Sequence, residues 1–159
     1  MVYTNAVGTT GPFRGRKRSL YEGGHRVPFV YHLPGVIPAG RSRALVSAVD
    51  FLPTLASIWK VQLPEHPFGG QDLTQLLLGD DSWKRQRPLL WEWRFAVAGP
   101  CWNAAPALAI REDRWKLLMN GDSDRVELYD MVPNNGTILH EGQNLADANP
   151  DVVAQLSAQ

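Results

Sequence analysis

The residues best suited to chemistry lie together near the start of the chain. From Phe13 to Arg18 the sequence reads Phe-Arg-Gly-Arg-Lys-Arg, and Ser19-Leu20-Tyr21-Glu22-Gly23-Gly24-His25-Arg26 follows directly. Lys17, on a loop bounded by glycines, is a candidate anion ligand, because an ammonium and backbone N–H groups can converge on one oxyanion. A solvated basic turn is the alternative that the same spacing allows, since charged residues mostly lie on the surface. His25, next to Gly24, is a candidate to line a substrate pocket; a plain loop histidine is its alternative. Glu22 reads as an ion-pair partner for Arg26 or a neighbouring arginine rather than as a general acid.

Other constellations are weaker. His25, His32, His66 and His140 are scattered with no i, i+4 pair, which argues against a zinc site. Ser19, His25 and Asp50 suggest a triad only on paper, because no nucleophile-elbow motif surrounds the serine. Trp91, Trp93 and Trp102 flank a loop from Arg94 to Ala105, where a ring could approach a sugar, although core packing explains at least two of them. Asn135-Gly136-Thr137 matches a glycosylation sequon, a match too common to carry weight.

The elements that must position these residues fall into two textures. Residues 9–26 are glycine-rich loop, and Val27 to Leu33 reads as a short buried strand stopped by Pro34-Gly35. Ser47 or Asp50 caps a helix through Phe51, Leu52, Leu55, Ala56 and Trp59, with Pro53 tolerated in its first turn. Asp72 to Leu78 forms a short helix closed by Gly79. After Arg87 the period becomes that of strands, over 88–93, 107–111, 114–119 and 126–130, with Glu112-Asp113 as a hairpin turn. Asn149-Pro150 then opens a closing helix. The expected division is residues 1–86 as the incomplete end of a large α/β domain and 87–159 as an antiparallel-sheet subdomain with its helix.

Composition limits the partners. Sixteen basic and sixteen acidic residues give a net charge of zero, which argues against a nucleic-acid partner for the Arg14–Arg18 cluster. No stretch reaches the roughly 18 apolar residues of a membrane span, so no membrane partner is expected. The single cysteine, Cys101, rules out an internal disulfide. The abrupt opening at Val2-Tyr3-Thr4, with no export signal, suggests a fragment.

The stretch Gly11 to Pro28, built around Lys17 and Tyr21-Glu22-Gly23-Gly24-His25-Arg26-Val27-Pro28, closely resembles a signature region of the sulfatase family. The resemblance continues, in family order, through Pro34-Gly35-Val36-Ile37-Pro38-Ala39-Gly40, Val49-Asp50-Phe51-Leu52-Pro53-Thr54-Leu55 and Arg87-Pro88-Leu89. It extends to Arg111-Glu112-Asp113-Arg114-Trp115-Lys116-Leu117, Glu127-Leu128-Tyr129-Asp130 and Asn144-Leu145-Ala146. It implies an α/β protein: the C-terminal part of an alkaline-phosphatase-like sulfatase fold, ending in a four-stranded antiparallel sheet with a C-terminal helix. The texture is nearest to the polysaccharide and N-acetylgalactosamine-6-sulfate sulfatases. The implied function is hydrolysis of sulfated sugars or aryl sulfates, with Lys17 as the catalytic, sulfate-contacting lysine. A formylglycine nucleophile and a calcium ion belong to the full-length family, whose members are usually exported.

Departures from the family pattern set the remaining expectations. Cys101 lies in Pro-Cys-Trp-Asn-Ala-Ala, and no Cys/Ser-x-Pro-x-Arg motif occurs in the chain. Where the family has an Asp-Asn pair for calcium, the chain reads Thr4-Asn5-Ala6-Val7-Gly8, and neither Ala6 nor Val7 offers the oxygen ligand a hard cation needs. The fragment is therefore expected to bind no calcium, to be inactive alone, and to need the missing N-terminal part of the enzyme as partner. A non-catalytic module that binds sulfated glycans is the competing reading.

Overall fold

The computed structural model describes residues 9–94, 104–132 and 141–159 of the chain. It contains two compact units, one formed by Met1–Val27 with Pro88–Gln159 and the other by Pro28–Arg87. One boundary between the units falls at Arg87–Pro88, and the basic loop clusters with the sheet.

In the first unit, four strands form an antiparallel meander: β1 Leu89–Glu92, β2 Leu108–Glu112, β3 Trp115–Met119 and β4 Glu127–Asp130, in the order β1-β2-β3-β4. Alternation puts Ile110, Leu117 and Leu128 on one face, where Leu156 of the closing helix α4 (Pro150–Ser157) completes a cluster. Burying each such side chain stabilises the unit by about 1.5–3 kcal/mol. On the opposite face Ala109, Leu118 and Tyr129 pack with Leu20, Tyr21 and Met131. Both faces are therefore covered, and β3 carries three consecutive buried residues, Lys116, Leu117 and Leu118. The β2–β3 turn sits one residue later than its alternation suggests: Glu112 pairs with Trp115, and Asp113 takes a left-handed φ of 46°. An aspartate tolerates that conformation at a turn better than most residues do.

The second unit holds a 3-10 turn, Ala48–Asp50, followed by helices α2 Phe51–Trp59 and α3 Thr74–Leu77. Asp50, fully buried, accepts the Ser47 N–H at 2.7 Å and the Gln71 N–H at 2.8 Å, and pairs with Arg85. Those bonds tie the start of α2 to the segments before and after it. Gly79, at a φ of 101°, follows α3 as its closing residue.

The expected strand from Val27 to Leu33 does not form. The segment has no strand assignment, and Val27 and Val30 are 72% and 83% exposed. Hydrophobicity alone does not make a strand, which needs an edge to pair with, and Pro28 removes a backbone donor at the start of the run.

Candidate functional site

The short helix α1, Glu22–His25, and the loop before it lie on the face of the sheet away from α4. Cross-strand register builds that face in rows. Trp91, Ala109, Leu118 and Glu127 align in one row, and Leu89, Arg111, Lys116 and Tyr129 in the next. Glu127 in the first row and Lys116 in the second each meet a residue of the loop.

Tyr21 anchors the first contact. It is 0% exposed, and its hydroxyl donates to the Glu127 carboxylate, with oxygens at 2.8 and 3.0 Å, while accepting from Arg125 at 3.0 Å. The Tyr129 hydroxyl donates to the same carboxylate at 2.6 Å and accepts from Arg14 at 2.7 Å. The Arg14 guanidinium lies 3.9 Å from the Tyr21 ring centre and donates to the Glu141 carbonyl at 3.1 Å. Burial first, then the Glu127 charge, raises both tyrosines above their ordinary range. Burial alone would raise Glu127 too, but hydrogen bonds from Tyr129 and Tyr21, with the charges of Arg14 and Arg125, hold it below.

Glu22 anchors the second contact. One carboxylate oxygen accepts from the Lys116 ammonium at 2.9 Å, and the other faces Arg26 at 3.4 Å. The Glu22 N–H donates to Glu141 at 2.7 Å, and Lys116 donates to the other oxygen of Glu141 at 2.7 Å. Burial raises Glu22, but the charge and hydrogen bond of Lys116, with the charges of His25 and Arg111, together outweigh it and the net shift is downward. At Glu141 burial wins, and the shift is upward. The His25 Nε2 lies 3.0 Å from the Leu20 carbonyl and 3.1 Å from the Lys116 ammonium. The first contact needs a proton on Nε2 and the second needs its lone pair, so one tautomer satisfies only one of them. Burial, then Lys116, lowers the imidazole pKa.

The backbone between the anchors is drawn tight. The Gly23 N–H donates to the Arg14 carbonyl at 2.8 Å. A Cβ on Gly24 would fall 1.9 Å from the Ser19 carbonyl oxygen, so only glycine lets the two backbone segments meet. At the outer turn Arg16, Lys17 and Arg18 are exposed, with Arg18 at a φ of 73°. Lys17 has no hydrogen-bond or ion-pair partner among the described residues. The loop thus buries Tyr21 and Glu22 and leaves one unengaged ammonium at its turn.

The sequence candidates separate accordingly. Lys17 is exposed, and His25 stacks on Trp91 at 4.8 Å with its Nε2 turned inward. Glu22 does pair with Arg26, but Lys116 is its nearer partner. Asp50 is held by Ser47, Gln71 and Arg85, which gives it no part in a triad. Trp91 and Trp93 pack against the core cluster. Asn5, Ala6, Val7, Cys101, Trp102, the Asn135 sequon and His140 lie outside the described residues. Lys116, Glu127, Glu141 and Arg14 were not singled out by their positions. The one available signal was a lysine inside the apolar run Trp115 to Met119.

Among the described residues no group of three His, Cys, Asp or Glu side chains is placed to hold a metal ion. Glu22 and Glu141, the converging carboxylates, already enclose the Lys116 ammonium.

Comparison with known proteins gives the family. Residues 11–158 match the family model described as N-sulphoglucosamine sulphohydrolase, C-terminal. The chain belongs to this sulfatase family. The N-acetylgalactosamine-6-O-sulfatase of Bacteroides thetaiotaomicron is 30% identical over 151 residues, covering 92% of this chain and 29% of that protein. Human arylsulfatase A is 42% identical over 79 residues, covering 50% of this chain and 16% of its own. A solved sulfatase structure, from work on glycosaminoglycan metabolism by Bacteroides thetaiotaomicron, superimposes with a TM-score of 0.69 at 28% identity, over 93% of this chain and 31% of that one. This sulfatase chain therefore spans less than a third of the length of these relatives, and its matched region is C-terminal. The four-stranded antiparallel sheet with its closing helix is the expected end of the sulfatase fold.

Proposed function

We propose that this chain is the C-terminal part of a sulfuric ester hydrolase acting on sulfated sugars or aryl sulfates, and that alone it does not turn substrate over. Residues 1–86 form, in this reading, the incomplete end of the larger α/β domain, and residues 87–159 the antiparallel-sheet subdomain with its closing helix. Lys17 contacts the sulfate: its ammonium offsets the charge that builds on the sulfuryl oxygens as the ester bond breaks. His25, with a side chain 23% exposed, lines the substrate pocket in this reading. The observation that supports this most directly is the division of labour in the loop. Tyr21 and Glu22 are buried as anchors while Lys17 stands exposed, with no partner among the described residues. The nucleophile and any calcium belong to the remainder of the enzyme, which is its partner. The sequence offers no Cys/Ser-x-Pro-x-Arg motif, and the described carboxylates do not form a calcium site.

The test pairs turnover with binding. The 159-residue chain is expected to release no product from an aryl sulfate above buffer background. Turnover abolished by Lys17→Ala would overturn the claim of inactivity. Inorganic sulfate titrated by NMR should bind in the millimolar range, about 4 kcal/mol. Lys17→Ala should weaken it selectively, with Arg16→Ala and Arg18→Ala as exposed controls. Arg14 is not a clean control, because its guanidinium lies over the Tyr21 ring and donates to Tyr129. Equal small losses at all three exposed positions would leave only diffuse charge and remove the role given to Lys17. Selective binding of a sulfated glycan, with no activity regained on adding the N-terminal part, would favour the glycan-binding module instead.

A further inference from the structure

Lys116 is the residue whose placement sequence logic explains least. It lies mid-strand with a side chain 0% exposed, whereas lysines are almost never fully buried unless paired. Its ammonium has three polar neighbours, Glu22 at 2.9 Å, Glu141 at 2.7 Å and the His25 ring at 3.1 Å. Arg111, opposite Lys116 in the β2–β3 register, and Arg26, on the outer oxygen of Glu22, are the other charges facing the group.

These contacts close a ring. Lys116 donates to Glu22 and to Glu141, and Glu141 accepts the Glu22 backbone N–H. The Glu22 side chain and main chain are thus both referred to one point on β3. From Glu22 the constraint runs back along the loop through close backbone contacts, Gly23 N–H to the Arg14 carbonyl and Gly24 against Ser19. Those contacts bracket the turn that carries Lys17. A buried ammonium between two carboxylates is a demanding way to stabilise a sheet, since an apolar residue of similar volume often does as well. The apolar residues Leu117, Leu118 and Leu128 already fill β3 and β4.

We propose that Lys116 is a positioning residue for the sulfate-contacting loop: its buried ammonium holds Glu22 and Glu141 together and so sets where Lys17 stands. The inference rests on the reading that Lys17 contacts sulfate. Lys116 itself touches no substrate. Removing its charge leaves two buried carboxylates facing each other, so the loop is pushed off the sheet while the apolar face under α4 is untouched.

The test uses the 159-residue chain and NMR, with inorganic sulfate as the probe. In Lys116→Met, the Glu22 and Gly23 amides should exchange about tenfold faster or more, while the Leu117 and Leu128 amides stay within about twofold. Sulfate binding should weaken by about fivefold or more, a change of about 1 kcal/mol. The His25 ring should titrate at higher pH, because the ammonium that disfavours its charge is gone while Glu22 remains. Should Lys116→Met fail to fold, Glu141→Gln carries the same test: it keeps the side-chain shape and an oxygen for the Glu22 N–H, and is expected to weaken sulfate binding in the same direction. The inference is overturned if the folded variants keep wild-type sulfate affinity and loop protection. It is overturned equally if sheet and loop amides accelerate together, which would mark a merely structural lysine. If Lys17→Ala leaves sulfate binding unchanged while Lys116→Met still frees the loop amides, the role of Lys17 falls and the hold of Lys116 on the loop stands.

Discussion

Replacing Tyr21 by phenylalanine isolates one hydroxyl that joins the signature loop to the sheet. The ring stays, so no cavity opens and the contact with Arg14 is kept. What disappears is a hydroxyl that donates to Glu127 at 2.8 Å and accepts from Arg125 at 3.0 Å. A hydrogen bond to a charged group contributes about 1.5–3 kcal/mol. The upper half of that range requires an orphaned partner, and here neither partner is orphaned. Glu127 retains the Tyr129 hydroxyl at 2.6 Å and Arg125 at 3.0 Å, and Arg125, with a side chain 40% exposed, can turn to water. The expected cost is therefore about 2 kcal/mol, read as a fall in unfolding free energy from urea titrations followed by tryptophan fluorescence. Tyr129→Phe removes the other hydroxyl from the same carboxylate, so the double variant should deviate from additivity by about 0.5 kcal/mol or more. A cost below about 0.5 kcal/mol for Tyr21→Phe, or strict additivity of the pair, would refute the shared-carboxylate account, since distant independent sites behave that way.

Two further outcomes follow from the same anatomy. Gly24→Ala places a methyl 1.9 Å from the Ser19 carbonyl oxygen, so the loop should lose at least about 1–3 kcal/mol of stability, while Gly40→Ala, with nothing within 4 Å, should change the urea midpoint little. Glu22 and Glu127 are held below the ordinary glutamate value of 4.5, so their contribution is present above that value and lost as pH falls through the lower folded values. Glu141 is shifted up, so its contribution is present below its unfolded value and fades as pH rises through the folded one. Urea midpoints measured from about pH 3 to 8 should show Glu127→Gln flattening the acid limb and Glu141→Gln flattening the loss above it; the reverse assignment would show that the signs are wrong.

Much of the fold was legible because local patterns encode it. Alternation marked all four strands, Asn149-Pro150 marked the start of α4, and the run around Tyr21-Glu22-Gly23-Gly24 marked the loop and singled out Lys17. The misplaced strand over 27–33 is a failure of the same logic. An apolar run records a wish to be buried, and only a neighbour with free backbone groups turns it into a strand. The long-range partners of the site's anchors were not legible. Tyr21 meets Glu127 across 106 positions, Glu22 meets Lys116 across 94, and Arg14 meets Tyr129 across 115. No period or spacing relates residues so far apart. The sequence by itself determined the four strands of the sheet and the start of the closing helix, because their local period and the proline that opens the helix encode them. The tertiary structure decided that a mid-strand lysine is buried rather than solvated, because two carboxylates from distant segments meet over the sheet and compensate its charge.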